Sequence, residues 1–337
     1  MNKSTSSLDS SHFPVMLNEV IKISSPSKGG KYIDCTFGGG GYSQKLLTFP
    51  KTIVKALDRD NKVKEIGKKL EKKFPDRFKF FQTKFSKLDT VTKEQVDIII
   101  FDLGLSSIQL NDLKRGFSFK SNENLDMSMG RNEISAQDVI NNLSELELKL
   151  IIKIFGEEKE AAKIAKNIVK TRNEKKIIKV KDLVRIIEKS KKKNYASKIN
   201  SCTKNFQEQR IFVNKEITEL ISGIIIATKI LKPGGKILII SFHSIEDKIV
   251  KYFFSNFSCN KSKPSRYLPE REDVITTALF DEYKNKILKP TKKEIEQNNI
   301  SKSAKLRYAT RSKNKFSYPN ELVKKYKRYL DMEAMYG

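Results

Sequence analysis

Glycine-rich sequence at the end of an apolar run is the strongest chemical signal in this chain. The stretch Tyr32–Ser43 reads YIDCTFGGGGYS, an apolar run that leads into a turn and then into a helix-like segment. Glycine lets a backbone turn sharply and approach a ligand closely. The stretch lacks both the GxGxxG spacing and the GK[ST] of a phosphate-binding loop. Taken alone, it predicts either a ligand-binding turn or a flexible turn without a ligand.

An acidic residue ends the next apolar run, IVKALD, at Asp58. In nucleotide-binding α/β folds an acid at this point accepts hydrogen bonds from the two ribose hydroxyls. The alternative is an exposed aspartate in a turn. A glycine-rich turn and an acid in this order favour an adenosine-containing cofactor, either a dinucleotide or S-adenosylmethionine.

A second acid, Asp102, opens the polar turn DLGLSSIQ after the apolar run VDIIIF. Open α/β sheets bind ligands outside the carboxyl ends of their strands. We therefore expect the methionine half of the cofactor and an acceptor base to meet here, with Asp102 as the first catalytic candidate. The alternative is that Asp102 caps the helix that follows.

One of only two histidines, His243, lies in the run SFHSIED after a further apolar segment. It is the second catalytic candidate, as a group that orients or deprotonates the acceptor. The alternative is a structural histidine in a segment that starts a helix. A serine hydrolase is disfavoured because no G-x-S-x-G turn occurs. The three cysteines lie far apart without metal-type spacing, so we predict no metal site.

These residues need a sheet to position them, and the hydrophobic pattern predicts one. Short apolar runs alternate with amphipathic segments, which is typical of an α/β fold with a parallel sheet. Residues 108–212 instead show helical periodicity. We predict a discontinuous sheet domain of residues 1–107 and 213–337, with an inserted helical substrate-recognition domain at 108–212. A long helix at 212–232 is expected to end at the Pro-Gly-Gly run 233–235. The six predicted strands are 31–35, 53–58, 78–82, 96–103, 236–242 and 305–311.

The charge points to a polyanionic partner. The 337 residues include 67 Lys and Arg against 40 Asp and Glu, a net charge of +27. Residues 149–215 hold 20 basic and 7 acidic residues, so nearly half of the excess lies in the predicted insertion. Nucleic acid is the favoured partner, although codon usage is an alternative source of lysine. The polar N-terminus and the lack of a long apolar run predict a cytoplasmic protein with no membrane span.

Many short motifs, in order over nearly the whole chain, resemble the bacterial small-subunit ribosomal RNA methyltransferase H family, also called MraW. The resemblance implies a class I S-adenosylmethionine-dependent methyltransferase, with a Rossmann-like sheet and an inserted helical domain. It further implies S-adenosylmethionine as methyl donor and N4-methylation of a cytidine of 16S rRNA at the decoding centre (P site) of the small ribosomal subunit. The motifs are HFPVML at 12–17, DCTFGGGGYS at 34–43, DRD at 58–60, DLGLSS at 102–107, RGFSF at 115–119, LDMSM at 125–129, NFQ at 205–207 with Arg210, SFHSIED at 241–247 and SAKLR at 303–307.

The resemblance also assigns cofactor contacts. Two positions depart from the family pattern: Tyr42 stands where the family often has histidine, and Ile108 where a proline is expected. A nicotinamide-dependent dehydrogenase and a non-enzymatic RNA-binding or ribosome-assembly factor are the competing interpretations. The family's cofactor contacts fall on Gly40, Gly41, Tyr42, Asp58, Phe85, Asp102 and Gln109.

Overall fold

A six-stranded sheet forms the centre of the larger part of the fold. The computed structural model describes residues 14–130, 134–191, 202–259 and 277–335. The strand order is β3-β2-β1-β4-β5-β6; the first five strands are parallel and β6 is antiparallel to β5. All six predicted strands are confirmed. The strands are β1 Gly30–Asp34, β2 Thr52–Asp58, β3 Phe78–Gln82, β4 Val96–Asp102, β5 Leu231–Ser241 and β6 Lys305–Thr310.

The apolar runs form strands because both faces of a parallel sheet are covered. The centre of β4, Ile98–Phe101, is buried throughout, and so is the segment Ile237–Ser241 of β5. Continuous burial removes the need for alternating polar residues, so these strands read as unbroken apolar segments. The core of the sheet therefore follows directly from the hydrophobic pattern.

Helices connect the strands and build the segment between β4 and β5. None of the helices in the described ranges combines the length and apolar character needed to cross a bilayer. The helices are α1 Leu17–Ser24, α2 Gly41–Leu47, α3 Lys64–Lys73, α4 Leu88–Val91, α5 Ser107–Asn111, α6 Ala136–Asn142, α7 Glu145–Phe155, α8 Ala161–Glu174, α9 Val180–Ser190, α10 Thr203–Asn214, α11 Glu216–Ile230, α12 Ser244–Asn256, α13 Lys292–Gln297 and α14 Asn320–Ala334.

The prediction of a single long helix at 212–232 is wrong, because the helix is interrupted at Lys215. Lys215 adopts a left-handed conformation with φ 50°, and it separates α10 from α11. Arg210 spans the break: its Nε lies 2.8 Å from one Glu216 carboxylate oxygen, and its Nη2 donates to the other at 2.9 Å. Asn214 at the end of α10 accepts from the Met129 N–H at 2.6 Å. These tertiary contacts outweigh the continuous helical periodicity of the sequence.

The Pro-Gly-Gly run also differs from its expected role as a helix stop. α11 ends at Ile230, and Pro233-Gly234-Gly235 lies within the range of β5. The run forms an irregularity in the pairing of β5 with β4, between the pairs Val96–Leu231 and Ile98–Lys236. The strand therefore starts five residues earlier than expected and carries a bulge before its regular part.

The chain divides into two compact units. The sheet unit comprises Met1–Ser107 and Ser222–Leu322, and the helical unit comprises Ile108–Ile221 and Val323–Gly337. The first segment of the sheet unit ends at Ser107, the predicted domain boundary. Its second segment begins at Ser222, later than the predicted residue 213. Residues 323–337, expected in the sheet domain, group with the helical unit.

Side-chain contacts explain why the last helix groups with the helical unit. The carboxylate of Glu333 on α14 accepts the N–H groups of Ile217 at 3.1 Å and Thr218 at 2.7 Å, and the Thr218 hydroxyl at 2.6 Å. It thereby supplies acceptors to first-turn N–H groups of α11, which have no partner within the helix. The ring of Tyr329 also packs edge-on against Phe155 of α7.

We expect Glu333→Ala to lower the free energy of unfolding by about 2 kcal/mol, because it leaves buried N–H groups without an acceptor. Burial raises the pKa of Glu333 to about 8. A carboxyl whose pKa is raised on folding contributes stability at low pH and loses that contribution as the pH rises through its folded pKa. The cost of the substitution should therefore be larger at pH 6 than above pH 8.

Urea unfolding of the full chain at both pH values measures this cost. Asp331→Ala is the matched control, since Asp331 lies on the same helix in an exposed pair with Lys327. The control should change stability by less than about 0.5 kcal/mol. Equal costs for the two variants would contradict the capping role of Glu333.

Candidate active site

Three aspartates end three neighbouring strands of the sheet, and they form the acidic edge, defined as Asp34 of β1, Asp58 of β2 and Asp102 of β4. The three strands are parallel neighbours in the order β2-β1-β4, so their carboxyl ends meet at one edge. This is the edge where open α/β sheets bind ligands. The structure thus brings together Asp58 and Asp102, both predicted from the sequence, and adds Asp34 between them.

Asp34 is the buried centre of the acidic edge. Its Oδ2 accepts the hydroxyl of Ser43 at 2.7 Å, and its Oδ1 accepts the N–H of Thr36 at 3.3 Å. Burial raises its pKa to about 6, against the lowering effect of these hydrogen bonds. Sequence reasoning did not select Asp34 as a site residue. The signal was present, because Asp34 ends an apolar strand just as Asp58 and Asp102 do.

Asp58 holds the glycine-rich turn through its carboxylate. Oδ2 accepts the N–H of Gly38 at 2.8 Å, and Oδ1 accepts the N–H of Asp60 at 2.8 Å. Burial raises its pKa to about 6, and the charges of Asp60 and Asp34 add to the rise. Each carboxylate oxygen can accept more than one hydrogen bond. Asp58 can therefore position the turn and still accept from ligand hydroxyls.

The glycine-rich turn needs glycine at Gly40 and Gly41 because protein rings lie against its backbone. Gly40 has φ 78°, and a Cβ there would lie 2.8 Å from the ring of Phe37. A Cβ on Gly41 would lie 2.7 Å from the ring of Pro14. These contacts fix the path of the backbone into α2, which begins at Gly41.

Asp102 is the member of the acidic edge with an unused oxygen. Its N–H donates to Thr36 Oγ1 at 2.7 Å, which ties the end of β4 to the turn after β1. Oδ2 lies 3.2 Å from the Tyr42 hydroxyl, whereas Oδ1 is shielded from solvent and has no hydrogen-bond partner in the part of the chain that the structure describes. Buried polar atoms without partners are rare in folded proteins. This oxygen is therefore a candidate acceptor for a hydrogen bond from a bound molecule.

The pKa of Asp102 is raised to about 8, the largest rise among the three acids of the edge. Burial is the main cause, and the negative charges of Asp34, Glu246 and Glu294 add to it. A neutral carboxylic acid is therefore the main form of Asp102 near neutral pH. A cation bound beside it would favour the carboxylate instead.

Tyr42 connects Asp102 to the segment before α1. Its hydroxyl lies 2.5 Å from the carbonyl oxygen of Val15, besides its contact with Asp102. Met16, the next residue, donates its N–H to Glu294 at 2.6 Å. The sequence resemblance selected Tyr42, but it did not predict this side-chain role. Val15 lies in the HFPVML motif, but the motif does not predict this contact, and no sequence signal identifies Glu294, because both act over long sequence separations.

His243 lies at the start of a helix, which agrees with the alternative that it is a structural histidine. It is the N-cap residue of α12, and its Nδ1 accepts the N–H of Glu246 at 3.5 Å. Its Nε2 lies 3.0 Å from Glu246 Oε1, without the alignment of a hydrogen bond. Glu246 Oε2 accepts the N–H of Phe242 at 2.9 Å. Because Glu246 lies against both ring nitrogens, Asp102 is the stronger catalytic candidate, and a role for His243 stays a prediction.

The other two predicted cofactor contacts, Phe85 and Gln109, lie in different units. Phe85 follows β3 in the sheet unit, and its half-buried ring packs edge-on against Phe101, with ring centres 5.4 Å apart. Gly223 makes room for it, since a Cβ there would lie 2.5 Å from the Phe85 ring. Gln109 is buried in α5, and it belongs to the helical unit. Contact of either residue with the cofactor stays a prediction.

The acidic edge fits a cofactor that carries hydroxyl donors and positive charge. Asp58 has the acceptor capacity for hydroxyls, and Asp102, which ends β4 at the same edge of the sheet, has an oxygen without a partner among the described residues. Three carboxyl groups near one another favour a cation. The strand order and the glycine-rich turn place the chain among the class I S-adenosylmethionine-dependent methyltransferases, and the fold class expected from the sequence is confirmed.

The chain belongs to the MraW methylase family, which it matches over residues 9–312. It is a methyltransferase, and S-adenosylmethionine is its methyl donor. It is 42% identical over 301 residues to a protein of Bartonella quintana named ribosomal RNA small subunit methyltransferase H, covering 89% of this chain and 90% of that protein. A protein of the same name from Ehrlichia ruminantium is 42% identical, over 88% of this chain and 98% of its own length.

Among solved structures, an rRNA methylase from Streptococcus thermophilus aligns with 87% of this chain and 96% of its own. The identity is 10% and the TM-score 0.38. The fold class therefore rests on the strand order and on family membership.

We expect Asp58→Ala to weaken binding of both S-adenosylmethionine and S-adenosylhomocysteine by roughly 10- to 100-fold. The reason is that a charged acceptor is worth about 1.5–3 kcal/mol, and both ligands carry the same ribose. Calorimetry with each ligand measures the loss. Asp97→Ala is the control, since Asp97 lies near the start of β4 and its carboxylate accepts the N–H of Lys31. Unchanged affinity in the Asp58 variant would remove Asp58 from the cofactor site.

Proposed function

We propose that this protein transfers a methyl group from S-adenosylmethionine to the N4 atom of one cytidine in 16S rRNA, at the decoding centre (P site) of the small ribosomal subunit. Family membership and the names of the relatives support a ribosomal RNA substrate. The observation that carries the chemistry is the unpartnered Oδ1 of Asp102 at the carboxyl end of β4. The assembled subunit in the cytoplasm is the proposed substrate particle.

The cofactor supplies a methyl group made electrophilic by its positive sulfur. The residues of the chain then have to align the acceptor and to stabilise the charge that develops on it. The lone pair of a cytosine amino group is delocalised into the ring, and an acceptor for its N–H makes it more available. In this proposal Asp102 Oδ1 accepts that N–H, and the carboxylate takes up the proton as the new N–C bond forms.

The helical unit is the proposed substrate-recognition domain. Lys163, Lys166 and Lys170 are exposed along one side of α8, and they form the lysine stripe. Its buried side carries Ile164, among others, so the helix separates an apolar face from a basic face. Basic side chains supply salt-dependent affinity for phosphates without reading the sequence.

The target cytidine has to leave its stack to reach the sheet edge, at a cost of a few kcal/mol. Aromatic side chains can hold an unstacked base. Phe119 is half-buried, and its ring packs edge-on against the buried Phe206, with ring centres 6.3 Å apart. Phe119 is therefore the favoured stacking residue of the helical unit.

Transfer of a tritiated methyl group to small subunits that lack the modification tests the proposal, when followed by nucleoside analysis and mapping. The expected product is N4-methylcytidine at a single decoding-centre position. A labelled nucleoside of another kind would overturn the specificity. Binding of NAD without binding of S-adenosylmethionine would instead favour a dehydrogenase.

We expect Asp102→Asn to lower the methyl-transfer rate at least about 100-fold, because it removes the proton acceptor. The amide keeps the size of the side chain, so salt-sensitive binding of small subunits should stay within about twofold. Single-turnover methylation and filter binding measure the two properties. A variant that methylates at the normal rate would rule out Asp102 as the acceptor. Loss of binding together with methylation would indicate a structural defect.

Replacing the lysine stripe by alanine should weaken binding to small subunits and leave cofactor affinity unchanged. The dependence of log K on log salt should become shallower by about 2–3, because three lysines no longer neutralise phosphates. A matched triple alanine variant of the exposed Lys64, Lys69 and Lys72 on α3 removes the same charge from the sheet unit. Equal effects of both triple variants would show that net charge, and not the helical unit, determines affinity.

A further inference from the structure

The Tyr42 hydroxyl has one hydrogen and two oxygen atoms within reach. It lies 2.5 Å from the Val15 carbonyl oxygen and 3.2 Å from Asp102 Oδ2. A carbonyl can only accept, so the short contact requires Tyr42 to donate to Val15. Burial raises the pKa of Tyr42 well above its ordinary value, and the phenol keeps its hydrogen. The single hydroxyl hydrogen of Tyr42 therefore faces two acceptors, the Val15 carbonyl oxygen and Asp102 Oδ2.

Two arrangements satisfy this geometry. In the first, a neutral Asp102 donates to the Tyr42 oxygen while Tyr42 donates to Val15. In the second, Asp102 is a carboxylate and the Tyr42 hydroxyl turns to donate to it, which releases the Val15 carbonyl. The oxygens need not move, because only the hydroxyl hydrogen changes its direction.

The surroundings decide between the two arrangements. Asp34 from β1, Glu246 from α12 and Glu294 from α13 place negative charge near the Asp102 carboxyl, and they favour the neutral acid. Tyr42 from α2 is the facing group that can donate to the carboxylate. A cation bound at the acidic edge reverses the balance, because it attracts the carboxylate and offsets the neighbouring acids.

We propose that Tyr42 is a positioning residue whose hydroxyl donates to Val15 while Asp102 is neutral in the free protein, and which turns to donate to the Asp102 carboxylate once the cationic methyl donor is bound. The inference rests on the proposed role of Asp102 in methyl transfer. It concerns residues of this chain in the absence of RNA, so it can be tested separately from the substrate.

The proton balance of the reaction follows from this inference. Methyl transfer to an amino group yields one proton overall, since the sulfonium cation becomes a neutral thioether and the amine exchanges one hydrogen for a methyl group. Asp102 releases a proton to solvent when the cofactor binds. After the N–C bond forms and the C–S bond breaks, the N4 proton moves to the Asp102 carboxylate. The neutral acid is restored, and the cycle releases one proton.

Calorimetry of cofactor binding near pH 7, in two buffers with different heats of ionisation, measures the released proton. With S-adenosylmethionine, the wild-type protein should release most of one proton, because Asp102, whose pKa is about 8, is mainly neutral before the cofactor binds. S-adenosylhomocysteine keeps the α-ammonium group but lacks the methyl group and the sulfonium charge, and it should release clearly less. Equal release with both ligands, or none with either, would overturn the inference.

Tyr42→Phe keeps the ring and removes the hydroxyl. We expect it to weaken S-adenosylmethionine about tenfold, to change S-adenosylhomocysteine less than about twofold, and to reduce proton release. A merely structural role would weaken both ligands alike, and that result would overturn the inference. Tyr32→Phe is the matched control, since it also removes a buried tyrosine hydroxyl, one that donates to the carbonyl oxygens of Ser24 and Gly29.

Asp102→Asn keeps the test decisive if the Tyr42 variant folds poorly. Proton release on S-adenosylmethionine binding should disappear in this variant, because the group that releases it is gone. Persistent release would assign the proton to another residue and overturn the inference. These titrations contain no RNA, so they do not depend on the identity of the substrate. Failure of the proposed function would appear in the methyl-transfer assay, as a methyl group on a different nucleoside.

Discussion

Three carboxyl groups at the ends of adjacent parallel strands repel one another, and the sheet prevents them from separating. Burial raises the pKa of Asp34 to about 6, and burial together with neighbouring negative charge raises that of Asp58 to about 6 and that of Asp102 to about 8. The surrounding structure partly offsets this cost with hydrogen bonds from the glycine-rich turn and Ser43. In our proposal the cationic methyl donor completes the compensation, which links the architecture of the acidic edge to the cofactor.

Much of the sheet and of the acidic edge could be predicted from the sequence. A strand buried on both faces leaves an unbroken apolar run, and the residue that ends the run lies at the ligand-binding edge. For this reason β4 and the positions of Asp58 and Asp102 followed from a one-dimensional pattern. Asp34 carries the same signal, but it lies in the glycine-rich motif, where the predicted contacts were Gly40, Gly41 and Tyr42.

The rest depended on contacts that no local pattern encodes. The periodicity of α10 and α11 is continuous, yet the pair of Arg210 with Glu216 and the capping by Glu333 stabilise a break at Lys215. Glu294 meets Met16 across 278 positions of sequence. The contacts of Glu333 and Glu294 form only after the fold has brought distant segments together, so the supporting residues around Asp102 could be found only in the structure.

The order of the strands has a kinetic consequence. β4 ends at Asp102 and its sheet neighbour β5 begins at Leu231, so more than a hundred residues separate two paired strands. Loop closure of this length adds little to the equilibrium cost, since each doubling costs only about 0.6 kcal/mol. Folding rates are more sensitive, because long-range parallel pairing is slow and leaves strand edges exposed meanwhile. Until β5 pairs with it, that edge of β4 carries unpaired backbone N–H and C=O groups, to which a strand of another chain can also pair.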